Sequence, residues 1–455
     1  MTQSWGMKRN LAAALLPALC LLTPVPAQTP QDEPIVVSAD HPRLFLRPAR
    51  LRLLKRERER SSMRWQQFET LMAGSAPMPE PGFARALYYA ISGNADAAKG
   101  AIAWALGPTG TDLRQLALVY DWCLPAMTET QQRELAARMQ KRMSETAADD
   151  AIPAVRSRVL SAVALFDEVP QTPQKELERT VRQWWNGKIV PALNQGQDVI
   201  PRDDAYALLE LFHAVRDTTN LDLREAAAGF FKDFPIEHLM SYYPAAWPGP
   251  ENDYYIGAER KPGDPDLKLA AFSRVADLAM VAFDVNAPQT QVLQGWLMHD
   301  KFLLRSLLGS PYEFLWANPY QPGLSYYHVP LVYYNPDYGR LYARSSWEDT
   351  ATWFGYFGGV MQLFSDGQLA VINSKQVAPV SLGEALVCFG ETATKFQVKL
   401  EEEDAVFIVG LEPKRTYRIE VDDEEMYEAA TDRGGILQLD DVPRGKPVGL
   451  RLGKL

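Results

Sequence analysis

Along residues 48–308 apolar side chains recur at three- and four-residue spacing, and proline or glycine breaks the pattern at intervals of roughly 15 to 25 residues. This predicts helices over about 46–73, 82–93, 96–106, 111–123, 128–146, 152–167, 174–192, 205–215, 222–233, 267–285 and 288–308. Ala205, Leu208, Leu209, Phe212 and Val215 form one such apolar stripe, and Thr128 followed by Gln131 is a capping-box start. Beyond residue 339 the texture changes to short β-branched and aromatic runs separated by turns. Ser365-Asp366-Gly367 predicts a hairpin between VMQLF and QLAVI, with further strands over 386–389, 395–400, 405–411, 416–421, 435–439 and 448–452. Many helices with short connections and no strict period suggest helical hairpins closed into a toroid rather than a regular solenoid. The expected fold is multidomain α+β, an incomplete α/α toroid followed by a short antiparallel β-sandwich. Its parts are an export segment over 1–27, a linker over 28–40, the helical domain over 41–310, an aromatic-rich connector over 311–338 and the sandwich over 339–455.

The first residues carry Lys8 and Arg9, an apolar run over 11–22 and then Val25-Pro26-Ala27, the layout of an export signal. The run is too short to span a bilayer, so the mature chain is expected to be soluble in the periplasm or outside the cell, without membrane insertion. Cys123 and Cys388 lie outside that segment and are expected as separate buried thiols rather than a disulfide framework. A net charge of −10 disfavours nucleic acid as a partner. Much of it is local, with 13 acidic against 5 basic residues over 391–432. No phosphate loop, zinc box or metal-ligand spacing is present among the five histidines, and no cofactor is expected. The acidic runs 401–404 and 422–425 sit at strand ends, where such charge is ordinarily solvated.

Three segments carry a family resemblance: HPRLFLRPARLRLLKRERERSS (41–62), LALVYDWCLPAMTETQQREL (116–135) and GRLYARSSWEDTATWFGYFGG (339–359). Together, in this order, they resemble the heparinase II/III-like and alginate lyase-like polysaccharide lyases. The resemblance implies a toroid joined to a sandwich and cleavage of uronate-containing polysaccharides by β-elimination. That reaction needs a group to neutralise the carboxylate, a base for the α-proton and an acid for the leaving oxygen. By position, the family's tyrosine corresponds to Tyr254 or Tyr255. Where the family has an amide-histidine cluster this chain has Pro201-Arg202-Asp203-Asp204, and after Gly358-Gly359 it lacks the family's histidine loop.

The candidate catalytic residues are therefore Tyr255, Tyr254, Arg202 and Asp203. Tyr254 and Tyr255 lie in WPGPENDYYIGAER (247–260), where a Pro-Gly-Pro corner stiffens the chain. That loop adds Trp247, Glu251, Asn252 and Arg260 as candidate substrate contacts. Residues 311–338 hold nine aromatics suited to stacking on sugar rings, among them Trp316, Tyr326 and Tyr327, and His328 stands beside them. Three readings stay open at this point. One is an acidic-polysaccharide binder whose lyase centre is lost or rewired. Another is an active divergent lyase using Tyr255 and Arg202, with paired-carboxylate hydrolysis less favoured. The last is a structural or assembly protein.

Overall fold

The computed structural model describes residues 35–455 apart from 169–170, 220, 250–252, 260–262, 300–303, 373–377, 391–393, 401–404, 424, 441 and 455. The expected export segment and most of the linker lie outside the described residues. A helical half precedes a strand-rich half. The expected helix over 46–73 is two, Pro48–Glu59 and Met63–Ala73, because Ser61 takes a left-handed φ of 48° and Ser62 caps the second through Trp65 N–H. The expected helix over 174–192 continues from Gln171–Glu178 into a π-helical stretch, Arg179–Ile189. The Thr128–Gln131 capping box is present, its two hydrogen bonds 3.3 and 2.9 Å long.

Six helices form the spine of the helical half, each packed on the next: Pro81–Ser92, Leu113–Cys123, Ile152–Ala164, Ala205–Thr219, Leu267–Phe283 and Gly309–Trp316. Met63–Ala73 touches both the first and the last of them. Ala205–Thr219 is enclosed on all sides from Ala205 to Val215, so its predicted single stripe understates its burial. Enclosure forces Glu210, the one acid between Ala205 and Val215, to be neutralised. Glu210 takes two hydrogen bonds from Arg114 (2.7 and 2.8 Å), one from Tyr206 (2.5 Å) and one from Arg156. Asp121 holds the N-terminal segment in a similar way, accepting from His41 Nδ1 (2.6 Å), Arg43 N–H (3.0 Å) and Leu44 N–H (2.8 Å). Two of the three family-like segments thus meet in a structural clasp.

The strand-rich half has three stacked layers where a two-layer antiparallel sandwich is expected. Nearest the helices is a five-stranded antiparallel sheet of Val332–Asn335, Arg340–Arg344, Trp353–Phe357, Val360–Ser365 and Gln368–Ile372. Asp366 (φ 50°) and Gly367 (φ 72°) make the expected hairpin turn. The middle sheet contains Ala385–Phe389 and Ala405–Val409, which pair in parallel, with Lys395–Lys399 crossing through the third layer between them. Both faces of the middle sheet are covered: Val387, Phe407 and Val409 face the first sheet, while Cys388, Val406 and Ile408 face the third. That is why ALVCF and AVFIV are continuously apolar and not alternating. Cys123 and Cys388 are separate, buried and free, and burial pushes both thiols up to about 12. No helix among the described residues is long and apolar enough to cross a membrane.

Removing Glu210 by Glu210→Ala should cost roughly 3–5 kcal/mol, because the largely buried Arg156 loses its carboxylate and Arg114 keeps only Glu80. Thr128→Ala should cost about 1 kcal/mol, the worth of one cap. Urea denaturation of both variants checks the order, and equal midpoints would contradict it.

Candidate functional site

The loop over 247–260 is the outer part of a hairpin that leaves the helix Ala228–Met240. Its stem is fixed by Tyr243 N–H to Ile256 O (3.0 Å) and Ala258 N–H to Ser241 O (2.8 Å), and farther out Trp247 pairs with Tyr254. Pairing makes the strand extended, so adjacent tyrosines face opposite ways. Tyr254 is buried in the main core, whereas Tyr255 is half-buried and donates its hydroxyl hydrogen to Asp349 Oδ1 (3.2 Å). Gly257 sits directly against Arg202: a Cβ there would come within 2.1 Å of Arg202 Nε. Only glycine lets the hairpin lie this close.

Two cavities open where the helical half meets the five-stranded sheet. The first, about 480 Å³, is lined by Arg202, Asp203, Glu237, His238, Glu259 and Tyr342, among others. Arg202 is pinned by Ser273 Oγ (2.9 Å), Ser241 Oγ and the His238 carbonyl (3.3 Å), and its Nη2 is buried without a hydrogen-bond partner among the described residues. His238 is 3% exposed; its Nδ1 meets Asp277 Oδ1 at 3.0 Å, and Tyr242 donates to the other Asp277 oxygen at 2.7 Å. Nε2 of this oriented ring has no protein hydrogen bond among the described residues. Burial, then the Arg202 charge, push the His238 pKa down against the pull of Asp277, so the ring is neutral at pH 7. In the same cavity burial and the Asp203 charge push Glu259 up. The environment thus favours the uncharged form of both groups, a histidine able to accept a proton and a carboxyl that holds its proton more firmly than usual.

The second cavity, about 310 Å³, has aromatic walls: Tyr255, Trp296, Tyr326, Tyr327 and Trp347, with Arg344 among them. Tyr326 and Tyr327 stack at 4.4 Å, and Trp347 meets Tyr326 edge-on at 5.3 Å. Tyr242 separates the two cavities. Arg202 lies 4.4 Å over its ring on one side, and Trp296 stacks on it at 4.7 Å and meets Tyr255 at 5.4 Å on the other.

The structure therefore brings Tyr255, Tyr326 and Tyr327 into one cavity and Arg202 and Asp203 into the neighbouring one. It does not bring together the other candidates. Trp316, expected on a connector, ends the core helix Gly309–Trp316; it is 1% exposed and donates to Tyr206 (3.0 Å), because its helix closes the row around the buried Glu210. Tyr254 is turned into the core by the strand pairing. Trp247 stays exposed on the hairpin, and His328 is exposed in the short turn Tyr326–His328; neither lines these two cavities. Glu251, Asn252 and Arg260 lie outside the described residues.

Sequence reading missed His238, Asp277, Trp296 and Arg344. A charged Asp277 inside LKLAAFSRVADLAMVAF was the available signal, as was the alternation Arg340, Tyr342, Arg344 along one strand face. Among the described residues no group of three His, Cys, Asp or Glu side chains is placed to hold a metal ion.

No family model matches this chain, and no curated protein matches it. Among solved structures it is similar to one described as a glycoside hydrolase, with a TM-score of 0.31 and 9% identity over 82% of this chain and 71% of that one. A likeness of that order says nothing about the chemistry of this site.

NMR titration of the His238 ring should give a midpoint below 6.5, and Asp277→Asn should lower it further, since the carboxylate favours the charged ring. A folded-state value below the unfolded one means the unfolded chain binds more protons in that window. The contribution of His238 to stability is therefore complete above pH 6.5 and declines as pH falls toward the folded value. A midpoint at or above 6.5 would contradict this environment.

Proposed function

We propose that the protein is exported and binds an acidic, uronate-containing polysaccharide on a heparinase-like toroid-and-sandwich scaffold, with its elimination centre rewired onto Arg202 and His238. The observation that carries the reading is the adjacency of an aromatic-walled cleft to a cavity holding a pinned cation and an aspartate-oriented neutral histidine. Aromatic faces suit sugar rings, and the cation suits a uronate carboxylate. In the rewired centre Arg202 neutralises the carboxylate and His238 Nε2 takes the proton from the carbon beside it. The ring carbon–carbon double bond forms as the glycosidic C–O bond breaks, and Glu259 returns a proton to the leaving oxygen. This differs from pairing Arg202 with Tyr255, since Tyr242 and Trp296 stand between those two residues.

The test is a panel of mannuronate, galacturonate and glucuronate polysaccharides followed by the ultraviolet absorbance of the unsaturated product. Turnover is expected to fall at least about 100-fold in His238→Gln, the usual scale for a general base, with glycan binding retained. Binding without any unsaturated product would remove the elimination centre and leave a binding protein. No binding to any of these glycans would favour the assembly role.

A further inference from the structure

The strand Arg340–Arg344 presents Arg340, Tyr342 and Arg344 on one face, toward the helical half, while Leu341 and Ala343 face the middle sheet. Its two arginines are treated very differently. Arg340, in the first cavity, is neutralised by Glu237 and by Asp198 (2.6 Å). The buried Arg43, Arg114 and Arg158 likewise each meet a carboxylate, from Asp167, Glu210 and Glu176. Arg344 does not. It is 4% exposed, its Nε donates to the Ser346 carbonyl (2.9 Å), and its guanidinium lies 4.1 Å over the Trp347 ring. Neither terminal nitrogen has a hydrogen bond or ion pair among the described residues, and neither is sealed from the cavity that Arg344 lines.

A guanidinium taken out of water without a counter-ion is costly, and a protein that keeps one at the base of a cleft is set up to receive an anion there. Burial pushes Arg344 down to about 10, opposed by Tyr255, Tyr326 and Asp349, so it remains charged at neutral pH. The cleft's carboxylates, Asp253, Glu348 and Asp349, are all on exposed positions, where water screens them. Asp349 is also engaged by the Tyr255 hydroxyl. Around the cation stand Tyr255, Trp296, Tyr326, Tyr327 and Trp347, whose faces suit the apolar side of a pyranose.

We propose that Arg344 is the charge-reading residue of a second acidic-sugar subsite, its two terminal nitrogens gripping a uronate carboxylate while the sugar ring packs on the surrounding aromatics. The inference rests on the acidic-polysaccharide reading above and deepens it. Because the first cavity holds its own unsatisfied cation, Arg202, the favoured ligand carries carboxylates on more than one sugar unit. An isolated acidic residue in a neutral chain would fill only one of the two sites.

Calorimetric titration of the full chain with galacturonate, mannuronate and heparosan tetrasaccharides, and with their methyl esters, tests this. The esters keep the ring faces and lose the charge. Wild-type protein should prefer at least one acid over its ester by roughly 10- to 100-fold, the range of a charge-assisted hydrogen-bond pair. Arg344→Gln should bring that ratio most of the way to one, and Arg344→Lys should restore part of it, since lysine keeps the charge but not the planar fork. Equal wild-type binding of acid and ester, an arm that uses no variant and no assumption about folding, would overturn the subsite. So would an acid preference unchanged in Arg344→Gln. A sulfated heparin tetrasaccharide whose affinity is indifferent to esterification but falls in Arg344→Gln would replace carboxylate by sulfate and overturn the assignment. If wild-type protein binds none of these glycans, the acidic-polysaccharide reading itself falls; binding that ignores Arg344 sinks the subsite alone.

Discussion

The structure turns on the seam between the helical half and the first β-sheet. Trp353, fully buried on the helix-facing side of that sheet, donates its indole N–H to the Met240 carbonyl at 2.9 Å, at the end of the helix that leads into the hairpin. Tyr243 donates to Gln362 Oε1 (2.9 Å), and the same amide donates from Nε2 to the Glu259 carbonyl (2.7 Å), which ties both strands of the hairpin to the sheet. Buried polar groups of this kind must find partners, so the relative placement of helix end, hairpin and sheet is constrained at several points at once. The two cavities are the gaps left along this seam. Everything proposed about ligands depends on its geometry.

Within the seam one carboxylate serves two partners. Asp277, buried on the helix Leu267–Phe283, orients both His238 and Tyr242. Tyr242 then forms the wall between the cavities, with a cation against one face and an indole against the other. A ring held from both sides and by its hydroxyl cannot easily rotate. The polar cavity and the aromatic cleft are consequently distinct in chemistry although they adjoin, and no described residue lines both. Arg340 and Arg344, four residues apart on one strand face, set the same distinction from the sheet side: one is neutralised in place, the other has no ion pair among the described residues.

What the sequence by itself determined is the local structure. The helical and strand-rich halves, the Thr128 capping box and the Asp366-Gly367 turn were legible because periodicity, caps and turn residues act over a few residues. Tyr255 was singled out by its neighbours in the chain, although which of the two tyrosines faces a cavity awaited the strand pairing. Tertiary structure decided the rest. Trp316 reads as a surface aromatic until its helix is seen to close the row around Glu210. The middle sheet's parallel pair is invisible in ALVCF and AVFIV, since burial on both faces erases the alternation that marks an antiparallel strand. A charge inside a largely apolar helix marked Asp277, and alternation marked Arg344, but neither signal tells what the side chain does, and His238 carried none. Their meaning comes from which groups, distant in sequence, supply or withhold a counter-charge, and no local pattern encodes that.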